Sequence, residues 1–267
     1  MKPVMNQRSR TDEWKSFWDE TGKNAASNFE YDRGHGPRER DIETLSTEEL
    51  LDFIAPQCHE TVLDAGCGTG ANLLLLHSKV KRVIGIDYAA GALTRCQQRI
   101  TSMGVDNVDL TQGSITNPTL PESSIDKVLC TSVLQYLDDA QVHTAFLQFK
   151  RILKTDGILI LHVKNSSSLY LSTLWAAKKI KRLLGRRPRI EYYRSFRWYA
   201  KELRVVGFEI VDYNSFNLLM LEMMPRALLL FLQKVELRNH NKPLFRTAFI
   251  RRHGSDLKIK AKIKKGS

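Results

Sequence analysis

Residues Asp64-Ala65-Gly66-Cys67-Gly68-Thr69-Gly70 place three glycines at alternate positions directly after the apolar pair Val62-Leu63. Glycines in that pattern let a backbone turn sharply and approach a ligand without a Cβ in the way. The helical stretch that follows presents unpaired N–H groups toward the same place. Asp87 lies 17 residues beyond Gly70, at the end of the next apolar run, where a carboxylate can accept hydrogen bonds from a ribose diol. A glycine loop plus a strand-end acid predicts a nucleoside-containing cofactor. The dinucleotide fingerprint is GxGxxG, whereas the spacing here is GxGxG, which disfavours a pyrophosphate ligand.

Other reactive residue types are scattered. Cys58, Cys67, Cys96 and Cys130 form no CxxC pair, so neither a disulfide framework nor a zinc ribbon is expected, and the pattern suits a reduced, intracellular protein. The seven histidines show no HExxH spacing, and no metal site is expected. Cys67 on its own reads as a small loop residue, and Asp126 as a strand cap. In an open α/β sheet, ligands bind beyond the carboxyl ends of the strands. Ser132, Gln135, Tyr136 and His162 fall near such ends, and His35 sits in a loop, residues 31–37, that can fold over them. His35, His162 and Tyr136 are the candidate bases.

The elements that must position these residues alternate from Thr61 onward, as in a parallel α/β sheet. Strands are expected at Thr61–Asp64, Arg82–Asp87, Val108–Thr111, Lys127–Cys130, Gly157–Val163 and Phe208–Tyr213, with helices at Ala71–Lys79, Ala89–Met103, Ala140–Leu153 and Trp198–Val206. Ser46 and Glu49 form a capping box for a helix ahead of the sheet. Ser195 and Gly207 read as the cap and stop of the helix between them. Two pieces break the alternation: a basic insertion, Ser166–Arg194, and an apolar segment, Ser215–Leu237, followed by a β-like run at Arg246–Arg251.

The loop at 64–70 resembles the DxGxGxG loop of class I S-adenosylmethionine-dependent methyltransferases, and the likeness extends from about Tyr31 to Gly207. Val83-Ile84-Gly85-Ile86-Asp87-Tyr88-Ala89 is similar to that family's second motif, and Gly113-Ser114-Ile115 to its adenine-side Gly-Asp pair, with Ser114 replacing the acid. Ile125–Cys130 with Val133–Tyr136 resembles the fourth motif, Leu153–Gly157 the Leu-Lys-Pro-Gly-Gly turn, and Gly207-Phe208 the Gly-Phe before the sixth strand. Gln135 stands where many small-molecule members carry His. The resemblance implies a Rossmann-like, doubly wound, mostly parallel seven-stranded sheet with the last strand antiparallel, an N-terminal helical lid and helical insertions. It also implies S-adenosylmethionine as cofactor, held by Asp64, Gly66, Cys67, Gly68, Gly70, Asp87, Tyr88, Ser114, Ile115 and Thr131. The chain lacks the loops of DNA amino, cytosine C5 and protein arginine enzymes. That leaves a small-molecule branch akin to quinone, glycan-lipid and secondary-metabolite methyltransferases. A short-chain oxidoreductase is disfavoured by the glycine spacing and by the lack of a Tyr-x-x-x-Lys pair. A non-catalytic cofactor-binding protein stays open.

Charge refines the partner. Residues 174–204 carry +9 and residues 251–267 carry +6, together +15 against a net +12, so the remainder is at −3. Local basicity suits an anionic surface. Leu171, Leu174, Trp175, Ile180, Leu183 and Leu184 interleave with cations, as in an interfacial helix. The leading expectation is methyl transfer, at oxygen, to a small, amphiphilic or lipid-linked acceptor. The enzyme would be cytoplasmic and peripheral to an anionic membrane face; RNA is the alternative partner. No signal peptide or membrane-spanning segment is expected. The expected organisation is a flexible N-terminus (1–12), a helical cap (13–57), a cofactor-binding core (58–165), the basic insertion (166–194), the rest of the sheet with an apolar lid helix (195–252) and a flexible basic tail (253–267).

Overall fold

The computed structural model describes residues 7–24, 40–168, 171, 191–216, 226–239, 242, 247 and 250–264. Its elements run α1 (Gln7–Asn24), α2 (Arg40–Ile54), β1 (Thr61–Ala65), α3 (Ala71–Leu76), β2 (Arg82–Asp87), α4 (Ala90–Ser102), β3 (Val108–Gln112), β4 (Ile125–Thr131), α5 (Asp139–Ile152), β5 (Leu153–Lys164), α6 (Phe196–Val206), β6 (Phe208–Phe216), α7 (Arg226–Asn239), α8 (Ile250–His253) and β7 (Asp256–Ile263). The seven strands form one sheet in the order β3-β2-β1-β4-β5-β7-β6. Strand β1 is parallel to β2 and β4, β2 is parallel to β3, and β6 is antiparallel to β7. This is the Rossmann-like architecture expected from the sequence.

One compact unit comprises residues 1–37 and 56–158. Strands β1, β2 and β4 are buried on both faces, which is why their sequences read as unbroken apolar runs. Helix α5 starts at a capping box in which Asp138 accepts from Gln141 N at 2.9 Å and Gln141 Oε1 accepts from Asp138 N at 3.0 Å. Asp126 accepts from Thr61 N at 2.9 Å and pairs with Lys154 at 2.8 Å, a strand-start role. Helix α1 begins at Gln7, so residues 7–12 are helical and not a flexible leader. It packs on the start of α4: a Cβ at Gly22 would meet Ala92 N at 2.6 Å, and one at Gly91 would meet Asp19 O at 2.3 Å.

The second unit comprises residues 38–55 and 159–267. Ser195 and Gly207 bound α6 as expected: Trp198 N donates to Ser195 Oγ at 3.2 Å, and Gly207 stops the helix at φ 97°. Three expectations are corrected here. Helix α2 begins at Arg40, so Ser46 and Glu49 are interior and form no cap. The β-like run at Arg246–Arg251 ends in a short helix, α8. The tail is not flexible: Asp256–Ile263 is strand β7, paired with β6 from Phe208↔Ile263 to Phe216↔Asp256. The reason is the period of two in Leu257, Ile259 and Ala261, all fully buried, which the intervening lysines mask when charges are counted.

Those cations are also engaged. Lys258 is buried, pairs with Glu49 of α2 and lies over the Phe216 ring. Lys260 sits over Phe53, and Arg251 pairs with Asp212. Burial pushes the Lys258 ammonium down to about 7, while the Glu49 carboxylate beside it favours the charged form. Lys258→Met should therefore strand a buried carboxylate and cost about 3–5 kcal/mol of stability, and adding Glu49→Leu should recover most of it. Urea denaturation of the two variants checks this; equal losses in both would mean the pair contributes nothing beyond packing.

Candidate active site

The site is built at the carboxyl ends of β1, β2 and β4 within the first unit. After Ala65 the chain reverses through Gly66, Gly68 and Gly70 at φ 86°, 54° and 88°. Gly66 N and Cys67 N both donate to Ile86 O, at 2.7 and 3.0 Å, which ties the loop to β2. Gly70 N closes a turn onto Cys67 O at 2.9 Å, and Arg99 of α4 donates to Thr69 O at 2.7 Å. Side chains are excluded at both ends of the loop: a Cβ at Gly66 would fall 2.2 Å from Val133 Cγ2, and one at Gly70 2.5 Å from Cys96 Sγ. Cys67 turns its thiol inward. Its hydrogen bond to Cys96 and its burial, with Asp64 and Asp87 adding, push that thiol well above the ordinary cysteine value. Any ligand contact from Cys67 is thus a backbone one.

Asp87 organises the loop from the neighbouring strand. Its carboxylate accepts from Gly68 N and from Ala89 N, both at 2.9 Å. Burial raises its pKa above the usual carboxylate value and Asp19 adds to that, against the pull of the backbone donors. Asp64 is fully buried and accepts from Asn72 Nδ2 at 3.3 Å. Tyr88 is kept a neutral phenol by burial and by the Asp87 charge. Beyond β3, Gly113 N donates to Asp87 O at 2.9 Å, so this segment closes on the same strand end. Ser114 uses its hydroxyl within its own turn, sharing a hydrogen bond with Thr116 Oγ1 at 2.8 Å and accepting from Thr116 N at 3.2 Å. Ile115 is buried nearby in sequence.

At the end of β4, Ser132 holds φ 57°, rare for a residue with a side chain. Thr131 Oγ1 and Gln135 Oε1, on either side of it, are buried and make no hydrogen bond. Tyr136 packs against Trp14 and Trp18 of α1 at ring-centre distances of 4.5 and 5.5 Å. Asp19, one turn on, accepts from Gly91 N at 2.9 Å. Trp14, Trp18 and Asp19 are residues that the sequence reading missed. The available signal was the i, i+3, i+4 spacing of Trp14, Phe17 and Trp18, an apolar stripe on an otherwise polar helix.

The expected residues are therefore gathered unevenly. Asp64, the glycines, Asp87, Tyr88, Ser114, Ile115, Thr131 and Tyr136 all lie in the first unit. His162 belongs to β5 in the second, where its Nε2 lies 3.7 Å from Asp256 Oδ1 beside Lys164 at 2.5 Å. Burial alone would raise the Asp256 pKa, but Lys164 and His162 hold it well below the usual value, so the three form a charge cluster that joins β5 to β7. His35 lies outside the described residues, as do Trp175 and most of the basic insertion.

Residues 62–157 match a family described as "Methyltransferase domain". That segment holds the glycine loop, Asp87 and the β4 terminus in the geometry just described. The match covers 96 of the 267 residues. A probable S-adenosylmethionine-dependent methyltransferase of Mycolicibacterium smegmatis is 32% identical over 121 residues, 44% of each chain. The chain spans less than half the length of the curated relatives it matches first. Among solved structures, phosphoethanolamine N-methyltransferase 1 of Haemonchus contortus, in complex with phosphoethanolamine and S-adenosylhomocysteine, superposes with a TM-score of 0.69 at 18% identity, covering 100% of this chain and 52% of that one. Geranyl diphosphate C-methyltransferase of Streptomyces coelicolor superposes at 0.60 with 15% identity, over 98% and 100% of the two chains. The matched segment suits that family's cofactor on its own chemistry: it has a loop with glycine at every second position, a strand-end carboxylate and buried polar atoms left unbonded at β4.

Asp87→Ala should weaken S-adenosylhomocysteine binding about 10- to 150-fold, because charge-assisted hydrogen bonds to a ribose are lost. Wild-type affinity should fall as the pH is lowered through the raised Asp87 pKa, since a protonated carboxyl accepts less well. Calorimetry on folded protein checks both; an unchanged affinity in the variant would remove Asp87 from the site. Cys67→Ser should leave that affinity unchanged, since its thiol faces the core.

Proposed function

We propose that this chain is an S-adenosylmethionine-dependent methyltransferase acting on a small or amphiphilic acceptor. The observation that carries the reading is the Asp87 carboxylate, bonded to the middle of the glycine loop and set to receive a nucleoside sugar. When bound, S-adenosylmethionine supplies a methyl group on a sulfonium, already an activated leaving arrangement. The protein's contribution is then alignment, worth about 7–11 kcal/mol of barrier in well-oriented systems. Asp64, Gly66, Gly68, Gly70, Asp87, Tyr88, Ile115 and Thr131 would bind and orient the cofactor, with Cys67 and Ser114 taking part through their backbone.

For an oxygen acceptor a base is also needed. Tyr136 is the residue best supported for it, as a phenol beside the β4 terminus with its ring fixed by Trp14 and Trp18. His162 has its place in the Asp256 cluster. The neighbours' ligands, phosphoethanolamine and geranyl diphosphate, support a phosphate-bearing or lipid-like acceptor. The charge of residues 174–204 is consistent with a lipid-linked one at an anionic membrane surface. Arg251, Lys258 and Lys260 of the basic C-terminal segment are engaged within the fold and add nothing to such a surface. Among the described residues no helix is long and apolar enough to cross a membrane.

Incubation of the protein with methyl-labelled S-adenosylmethionine and a panel of phosphobases, prenyl phosphates and phenolic lipids should label one class. With that acceptor, Tyr136→Phe should lower kcat about 10²- to 10⁴-fold, the range of a lost general base, without altering S-adenosylhomocysteine affinity. No label in any class, with intact cofactor binding, would favour a binding protein over an enzyme.

A further inference from the structure

Helix α7 is packed with a polar side inward. It lies against α2 and β6, and the residues that it buries include Gln233 and Glu236. Leu228 and Phe231, by contrast, are 43% and 60% exposed. Leu228, Phe231, Val235 and Arg238 follow one another at i, i+3, i+7 and i+10, so they line one face, on which Val235 is half-buried and Arg238 exposed. A helix oriented by its own fold alone turns its apolar face to the core and its polar face to water. Here an amide and a carboxylate are desolvated while a phenyl ring and a leucine stay in water, and both choices disfavour the isolated chain. Single exposed apolar residues are ordinary. A stripe of them opposite an inward polar face points to a partner outside the fold.

The charge around the stripe indicates that partner. Residues 226–246 contain five Lys/Arg and one acid, Glu236, a net +4. Glu236 is turned inward, so the described outward side of α7 carries cations and no acid. Arg238 and Lys242, one turn apart at the end of the stripe, are both exposed, and Lys242 N donates to Asn239 O at 2.8 Å, which holds that lysine at the helix end. Aromatic and aliphatic residues bordered by cations suit a helix lying in the head-group region of an anionic bilayer. A second copy of this chain is a poorer partner, because a two-fold contact along α7 would set cations against cations with no acid to pair with them. RNA would engage the cations through its phosphates and leave Leu228 and Val235 in water.

We propose that the outward face of α7 is a docking surface for an anionic phospholipid bilayer. Leu228 and Phe231 enter the interface beneath the head groups, and Arg238 and Lys242 meet lipid phosphates. That a lipid is then the methyl acceptor rests on the methyl-transfer reading above; the docking surface itself rests on α7 alone.

Co-sedimentation of the full chain with vesicles at physiological salt tests this. Wild-type protein should bind vesicles of phosphatidylcholine and phosphatidylglycerol in equal parts about tenfold or more tightly than vesicles of phosphatidylcholine alone. Leu228→Ser with Phe231→Ser should weaken binding to the mixed vesicles about tenfold, with an unchanged Tm because both residues are exposed. Arg238→Gln with Lys242→Gln should weaken it by about the same factor, and this variant decides the matter if the first fails to fold. Unchanged binding in either folded variant overturns the inference: a silent serine variant would mean that cations alone are at work. A wild-type dimer in light scattering that becomes a monomer in the serine variant overturns it in favour of a second copy. Wild-type protein that binds S-adenosylhomocysteine but no vesicle would overturn the docking surface alone, and vesicle binding without S-adenosylhomocysteine binding would overturn the methyl-transfer reading alone.

Discussion

The carboxylate of Asp87 is the constraint on which the rest of the site depends. It takes one hydrogen bond from the glycine loop and one from the first turn of α4, so two segments that leave different strands are fixed to one side chain. The Ile86 carbonyl just before it accepts from two loop amides, and the Asp87 carbonyl accepts from Gly113. Three strand ends thus share a single dipeptide as their anchor. A carboxylate buried this far is costly, and its raised pKa reflects that cost. The backbone donors around it offset the desolvation only in part.

The polar groups of the first unit divide by the end of the sheet on which they stand. At the amino ends, Glu60 pairs with buried Lys127 at 2.8 Å, and Asp126 pairs with Lys154 while accepting from Thr61 N. Each of these carboxylates meets a cation. At the carboxyl ends stand Asp64, Asp87, Thr131 Oγ1 and Gln135 Oε1, satisfied by backbone and amide donors or by nothing. The amino ends are neutralised within the chain, whereas at the carboxyl ends Thr131 Oγ1 and Gln135 Oε1 are buried without a hydrogen bond.

What the sequence made legible was local. The strand–loop–helix of 61–76 and the acid at 87 follow from short-range rules: apolar runs, glycine spacing and a charge at a strand end. All six expected strands are present, and β5 begins only four residues early. The errors share a cause. Strand β7 alternates lysine with apolar residues, and only burial of Lys258 against Glu49 reveals that a charged residue belongs inside. Helix α1 shows in sequence only the short stripe Trp14, Phe17 and Trp18, which does not name its partner, and Trp14 and Trp18 find one in Tyr136, more than a hundred residues away. The unbonded state of Gln135 depends on what fails to reach it, which no pattern of residue types records.

Helix α1 also changes what counts as the working unit. The matched family segment runs from 62 to 157, but Asp19 caps the turn after Asp87 from outside it, and Trp18 packs on Ala89 and Ala92. A fragment cut at the family boundaries would retain every glycine of the loop and lose a wall of the site. The segment that carries the family likeness is therefore smaller than the piece of chain that must be inherited together for the candidate site to keep its shape.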